Sequence, residues 1–315
     1  MAVVEGRFRC MASEAHVVVV GGDDGHVSMA VGRLSELEQR WSRFVPSSDV
    51  ARINLAGGQP VTVHADTLTL VHAMVSAWDL TGGRFDPTVL PVLARAGYRS
   101  SIDDPRRLTP LPDVELRIGG LADVVVDEAR SAVTIPSDSV IDPGGIGKGL
   151  AADIVVGELL AAGATGVLVA VGGDMAFGGR SPRSDGWLVT IEDPDDPDRE
   201  IARISVDAGG GVATSSTRSR RWRSGSTMLH HLVDPSSGAV STTGLASVTV
   251  VAATGWLAEI HATAAILAGV GGVADYLDTH RLSGVGVTSA RSLVTSADLA
   301  ERRSGRGGSG RRSGR

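Results

Sequence analysis

The 315-residue sequence predicts a layered protein of helices packed on sheets, α/β or α+β in class. Three observations support this. Apolar residues make up 42%, enough to bury a substantial core as one large domain or two intimate halves. The 41 glycines punctuate Ala- and Val-rich segments and so mark many tight turns. The apolar pattern switches along the chain between strand-length Val runs and helical spacing.

Val17–Val20 reads as a strand, and Val27 to Trp41 as an amphipathic helix with Met29, Val31, Leu34 and Leu37 on its apolar face. The polar turn Pro46-Ser47-Ser48-Asp49 leads into a short helix ending at Asn54. Val61–Val63 is strand-like, and Thr67–Leu80 is a helix stopped by Gly82-Gly83. Residues 103–113, with Asp104-Pro105 and Leu111-Pro112, form a loop. Val124–Val126 and Val133–Ile135 predict a hairpin around Asp127–Arg130. The glycine run 144–149 opens a helix from about Leu150 to Ala162, closed by Gly163, and Val167–Val171 is a strand. Trp187–Glu192 and Ile201–Val206 form a strand pair around Asp193–Asp198, expected as a solvated turn. Residues 208–238, rich in Gly, Ser, Thr and Arg, read as loops over a binding face. Val248–Ala252 is a strand, Leu257–Leu267 a helix, and Val285–Val287 with Ser292–Thr295 a closing hairpin. A single domain over 1–300 and a disordered Arg/Gly/Ser-rich tail over 301–315 are expected.

Charge and cysteine content exclude several function classes. The stretch from Arg302 to Arg315 carries six arginines and no acid, so removing its +6 from the net −6 leaves −12 on residues 1–301. An acidic body argues against nucleic acid as the main partner. Cys10 is the only cysteine, which excludes an internal disulfide and a thiolate metal cluster. The longest apolar stretches, Val17–Val20 and Val167–Val171, are far short of a membrane span. Residues 1–15 contain Glu5, Arg7, Arg9 and Glu14 and no apolar signal core, and Arg7-Phe8-Arg9 precedes Cys10 where a lipoprotein anchor needs a hydrophobic run. The expectation is a soluble, intracellular protein.

Lys148 is the only lysine among 30 basic residues and lies in Ile141-Asp142-Pro143-Gly144-Gly145-Ile146-Gly147-Lys148-Gly149. A chain this biased toward arginine keeps lysine where a compact ammonium is needed, here to reach a phosphate between close-packed backbones. The alternative is a lysine left in a turn by chance. A Walker A loop is excluded, because Asp142 and Gly149 stand where Gly and Ser or Thr are required, and the glycine spacing is not GxGxxG. What remains is a nest of backbone N–H groups at a helix start, with Asp142 and Lys148 beside it.

Four further segments carry chemistry-bearing residues. Gly82-Gly83-Arg84-Phe85-Asp86-Pro87-Thr88 presents a carboxylate on an Asp-Pro turn. Asp174 follows Val171-Gly172-Gly173 at a strand end, as a ligand group or a helix cap. In His230-His231-Leu232-Val233-Asp234-Pro235, His231 stands three residues before the Asp-Pro turn, as a base or a structural histidine. Glu259 and Thr263 stand at i and i+4 of a helix, as oxygen ligands for Mg²⁺ or as a surface Glu and a buried Thr. His261 points away from that pair.

In this order the segments resemble the FAD:protein FMN transferases, the ApbE-like flavin transferases. The resemblance runs from about Phe8 to the final hairpin, through Met11, WSRFVPSSDVARIN (41–54), GGRFDPTVLPVL (82–93) and DPGGIGKGLAAD (142–153). It continues through VGGD (171–174), ATSSTRSRRW (213–222), HLVDPSSG (231–238) and AEIHATAAILAG (258–269). It implies an α+β fold of layered mixed sheets with packed helices. It also implies that Met11, Phe44, Arg84, Phe85, Asp86, Asp142 and Lys148 contact FAD, with Lys148 near the phosphates. Gly145, through its carbonyl, with Glu259 and Thr263 would hold Mg²⁺; His231 near the diphosphate is the candidate base or orienter, and Asp174 completes the candidate catalytic set. The implied reaction moves FMN from FAD to a threonine hydroxyl of an acceptor flavoprotein and releases AMP. The same parts allow two alternatives, an FAD pyrophosphatase yielding FMN and AMP, or a non-catalytic flavin-binding protein. This chain departs from the family in carrying Glu259 where Asp is usual and Ala262 where some members have a second Asp. Its 213–222 block and the next residue hold Arg218, Arg220, Arg221 and Arg223, expected to help with phosphates or the acceptor. Export signals common in the family are absent from the sequence, which implies a cytoplasmic form.

Overall fold

One antiparallel sheet organises the chain, seen in a computed structural model that describes residues 1–206 and 209–299. Among the described residues its eight strands are β1 (Val3–Cys10), β2 (Ser13–Val20), β3 (Gly166–Val171), β4 (Asp174–Gly179), β5 (Gly209–Ser216), β6 (Leu245–Ala252), β7 (Ser283–Thr288) and β8 (Leu293–Thr295). They lie side by side in chain order. Every neighbouring pair is antiparallel, so the α+β class holds while the expected mixed strand directions do not. Helices are inserted at two connections. Between β2 and β3 come α1 (Asp24–Trp41), α2 (Asp49–Leu55), α3 (Ala65–Leu80), α4 (Leu90–Arg95) and α5 (Gly147–Ala161). Between β6 and β7 come α6 (Gly255–Leu267) and α7 (Val273–Thr279).

Strand alternation assigns the two faces. Along β2, Ala15, Val17 and Val19 enter the core beneath α1 and α5. Val18 and Val20 face the opposite side, where the hairpin of Trp187–Asp193 and Asp196–Val206 covers the sheet with Trp187, Val189 and Val206. On α1 the buried stripe is Ala30, Leu34, Leu37 and Trp41. Met29 and Val31, expected on that face, are exposed because the stripe meeting the sheet is narrower. Arg33 ties three helices together, with Nη2 2.6 Å from Asp66 Oδ1 on α3 and Nε 2.9 Å from Glu158 Oε1 on α5.

Segment 208–238 departs furthest from expectation. Its described part, read as loops, holds β5 and a hairpin of Arg221–Ser224 with Thr227–His230. Gly209–Ser216 lacks a branched apolar run, and it becomes a strand because β4 and β6 offer ladders on both sides. Strands β1 and β4 likewise escaped the Val-run criterion. The expected solvated turn Asp193–Asp198 is largely strand, and Asp193 is buried with Arg199 Nη1 3.5 Å away. No helix among the described residues is long and apolar enough to cross a membrane. The tail expected to be disordered lies outside the described residues.

Helix α5 begins at Gly147, three residues earlier than expected, which places Lys148 in its first turn. Glycine is a poor helix former, so packing must favour this start. A Cβ on Gly149 would lie 2.5 Å from the Gly255 carbonyl atoms, and one on Gly211 would lie 2.4 Å from Gly255 Cα. Backbones of α5, α6 and β5 therefore touch through three glycines. Asp153, one turn on, accepts from Gly255 N at 2.8 Å and Trp256 N at 2.9 Å, satisfying free donors at the start of α6. Burial pushes its carboxyl up to about 6 against those two hydrogen bonds.

Gly149→Ala is expected to lower stability in urea unfolding by about 1–3 kcal/mol through overpacking. Gly157→Ala, on the same helix with open space around it, should instead stabilise by about 0.5–1 kcal/mol.

Candidate active site

A cavity of about 440 Å³ opens where the β1–β2 turn, the end of α1, the start of α5, β5 and α6 converge, and Met11, Phe44, Arg84, Phe85, Asp86, Asp142, Gly145, Lys148, Asp174, His231, Glu259 and Thr263 all line it. Lys148 is at its centre. Its Nζ donates to Glu259 Oε1 at 3.0 Å and is ion-paired with Asp174. Both carboxylates are buried, at 3% exposure for Asp174 and 4% for Glu259. Burial pushes the ammonium pKa down, Glu259 raises it again, and the charge of Arg220 adds to the depression.

The expected glycine nest has another purpose. Gly149 N–H, one of its donors, is taken by Glu259 Oε2 at 2.7 Å, and the bareness of Gly149 serves the contact with Gly255. The compact ammonium fits between two buried carboxylates rather than between glycines. Asp174 is not a helix cap. It pairs with Val171 across a two-residue hairpin loop whose Gly172 and Gly173 have φ of 61° and 93°.

Asp142 caps the turn Pro143–Gly145, its Oδ1 accepting from Gly144 N at 3.0 Å. Its Oδ2 lies 3.2 Å from Arg43 Nε, and the buried Arg43 guanidinium sits 4.2 Å from the Phe44 ring centroid and 4.9 Å from that of Tyr98. Sequence reasoning named Phe44 and missed Arg43, which nothing local separates from the other arginines. Asp86 Oδ1 accepts from Thr88 N at 2.7 Å and Oγ1 at 2.6 Å, so much of its bonding capacity goes to the turn itself. The buried Phe85 ring packs against Gly145, where an added Cβ would be 2.9 Å from Cε2, while Arg84 is exposed at the rim. Met11 lies in the β1–β2 turn with φ of 51°.

Glu259 and Thr263 lie one turn apart on α6, with Thr263 Oγ1 3.0 Å from Ser215 Oγ on β5. A Cβ on Gly145 would be 3.8 Å from that Thr263 oxygen, so the three residues meet as expected. Ser215 was missed because its strand was read as loop. His261 turns away and bonds Tyr276 through Nδ1 at 2.8 Å. Among the described residues no group of three or more His, Cys, Asp or Glu could hold a metal, so a cation here must use hydroxyl and carbonyl oxygens too.

His231 borders this cluster, and its Nδ1 is buried without a partner among the described residues. Burial, then the charges of Arg220, Lys148 and His230, push its pKa down to about 3. The ring is therefore neutral at physiological pH, with Nδ1 open to a hydrogen-bond partner. Because the folded pKa is below the ordinary 6.5, the associated stability is fully present above that value and is lost as pH falls from there toward 3. His231→Gln should flatten the dependence of the urea midpoint on pH in this window. Equal slopes in the two proteins would contradict the assignment.

The chain matches the model of the ApbE family over residues 11–287. It is 26% identical over 223 residues to the FAD:protein FMN transferase of Vibrio cholerae, a match spanning 69% of this chain and 65% of that one. An FAD:protein FMN transferase of Klebsiella pneumoniae is 26% identical over 285 residues, 86% of each chain. The crystal structure of the ApbE protein of Thermotoga maritima superposes with a TM-score of 0.83 at 25% identity, covering 95% of this chain and 99% of that one. The Pseudomonas stutzeri flavinyl transferase ApbE shares the fold, with a TM-score of 0.78 at 23% identity over 95% of this chain and 96% of its own. A family model spanning residues 11–287, most of the chain, makes this protein a member of the ApbE family.

Proposed function

We propose that this chain is an FAD:protein FMN transferase that moves FMN from FAD to a threonine hydroxyl of an acceptor flavoprotein. The observation carrying this reading is the convergence of Lys148, Asp174, Glu259 and His231 in one cavity with Met11, Phe44, Arg84, Phe85, Asp86 and Asp142. In the proposed reaction the threonine oxygen attacks the FMN-side phosphorus. The new O–P bond forms as that phosphorus separates from the bridging oxygen, and AMP leaves with that oxygen. The hydroxyl proton passes to a base, for which His231 is the candidate: its Nδ1 has no partner among the described residues, and the anionic diphosphate would raise the pKa that burial and neighbouring positive charge lower. Phosphoryl transfer needs positioning and charge neutralisation more than covalent participation by the protein. Arg43 supports positioning, since it holds Asp142 and stacks on Phe44.

The residues present fit Mg²⁺. Lys148, Asp174 and Glu259 together carry a net negative charge in a buried place, which favours a further cation. Glu259, Thr263 and the Gly145 carbonyl are hard oxygen donors, the type Mg²⁺ takes. When bound, the ion would neutralise diphosphate charge. Ala262 is fully buried among apolar side chains, so Glu259 is the acid this helix offers.

Incubation with FAD, Mg²⁺ and acceptor tests the reading. AMP together with a mass gain of one FMN on the acceptor is expected. AMP with free FMN would indicate hydrolysis, retained intact FAD would indicate storage, and absence of FAD binding would overturn all three. Glu259→Ala should abolish Mg²⁺-dependent turnover and leave FAD bound, whereas Glu259→Asp should retain or raise turnover. Lys148→Arg should lower kcat/KM by at least about tenfold, because a broad guanidinium displaces the paired carboxylates. Normal kinetics in that variant would remove the compact-ammonium argument.

A further inference from the structure

The arginines around the cavity differ in what holds them. Arg43 is paired with Asp142, and Arg218 Nε is 2.7 Å from Asp195 Oδ1. Arg221 and Arg223 are exposed on the hairpin that follows. Arg220 is different. It is half-buried and lines the cavity, and its guanidinium makes no ion pair or hydrogen bond among the described residues. Its charge acts on Lys148 and on the neutral His231 ring. A guanidinium half-withdrawn from water with no partner of its own is unfavourable unless an anion joins it.

The backbone supplies a second, independent observation. Arg220 has φ of 47°, in the left-handed region that favours glycine. The preceding bend thus carries strain at a position where glycine would relieve it. Residues held in this region persist where the surrounding structure over-determines them, and they cluster at ligand clamps.

We propose that Arg220 is a phosphate-binding residue whose guanidinium grips the diphosphate of the flavin dinucleotide beside Lys148 and His231. A planar fork of donors suits bidentate contact with phosphate oxygens, which the single compact lysine cannot provide. The inference rests on the FMN-transfer reading for the identity of its ligand. It narrows the contribution of the basic 213–222 block to one side chain, because Arg218 is spent on Asp195.

The test compares three ligands on the full chain by fluorescence or calorimetry: FAD, riboflavin, which has no phosphate, and inorganic pyrophosphate. Arg220→Gln should weaken FAD and pyrophosphate binding by about 10- to 100-fold, as loss of a charged hydrogen-bond pair does, and leave riboflavin affinity unchanged. Arg220→Lys should recover part of the loss. Arg220→Gly should lose phosphate affinity while raising Tm, because the strain is relieved. Unchanged FAD affinity in Arg220→Gln, or an equal loss for FAD and riboflavin, would overturn the proposal. A wild-type chain that binds pyrophosphate through Arg220 but not FAD would remove the flavin reading and overturn the flavin part of this one, leaving Arg220 as a phosphate-binding residue only. A chain that binds neither overturns both.

Discussion

The site depends on one close approach of backbones. Gly149 at the start of α5 and Gly255 at the start of α6 are so near that a Cβ on the first would lie 2.5 Å from the carbonyl of the second. Gly211 on β5 closes the same contact from the sheet. Without side chains between them, the two helix starts are near enough for Glu259 to reach Gly149 N–H at 2.7 Å and Lys148 Nζ at 3.0 Å. Asp153 then supplies the donors of the α6 terminus with a carboxylate across the helix pair. A glycine run that suggests an anion nest is thus first a packing device.

Electrostatics follow from that geometry. Lys148 is shared by two buried carboxylates, and its ammonium pKa is lowered by burial while Glu259 opposes the change. Beyond it stand His231, held neutral by burial and neighbouring positive charge, and Arg220, unpaired among the described residues. The cavity therefore holds two buried carboxylates, Glu259 and Asp174, together with Arg220, whose charge acts on Lys148 and His231. Such a mixture of charge suits a ligand that brings both a cation and an anion, as a metal-bound diphosphate does.

Local patterns made much of the fold legible. Helices α1, α3, α5 and α6 are visible from spacing, and β2, β3 and β6 from valine runs, because both signals live within one element. β5 was not legible. Its Gly- and Ser-rich sequence becomes a strand only by lying between β4 and β6, and Ser215, which bonds Thr263, was lost with it. Arg43 was missed for a related reason, since its pairing with Asp142 joins segments far apart in the chain. Asp174 was seen as a ligand or a cap, and only the Val171–Asp174 pairing identifies it as a hairpin corner.

By itself the sequence determined the chemical inventory: one lysine, a histidine before an Asp-Pro turn, and a Glu and Thr one helical turn apart. These are properties of residue identity and short spacing, which need no knowledge of the fold. Only the tertiary structure decided who pairs with whom. Lys148 and Glu259 are 111 residues apart, and the contact that joins them is made by glycines on two helices whose local patterns do not mention each other. The same structure decided that Arg218 is paired with Asp195 while Arg220 has no acidic partner among the described residues, a difference that two arginines two positions apart cannot express in sequence. Charge and contact act through space, and the backbone path sets the distances.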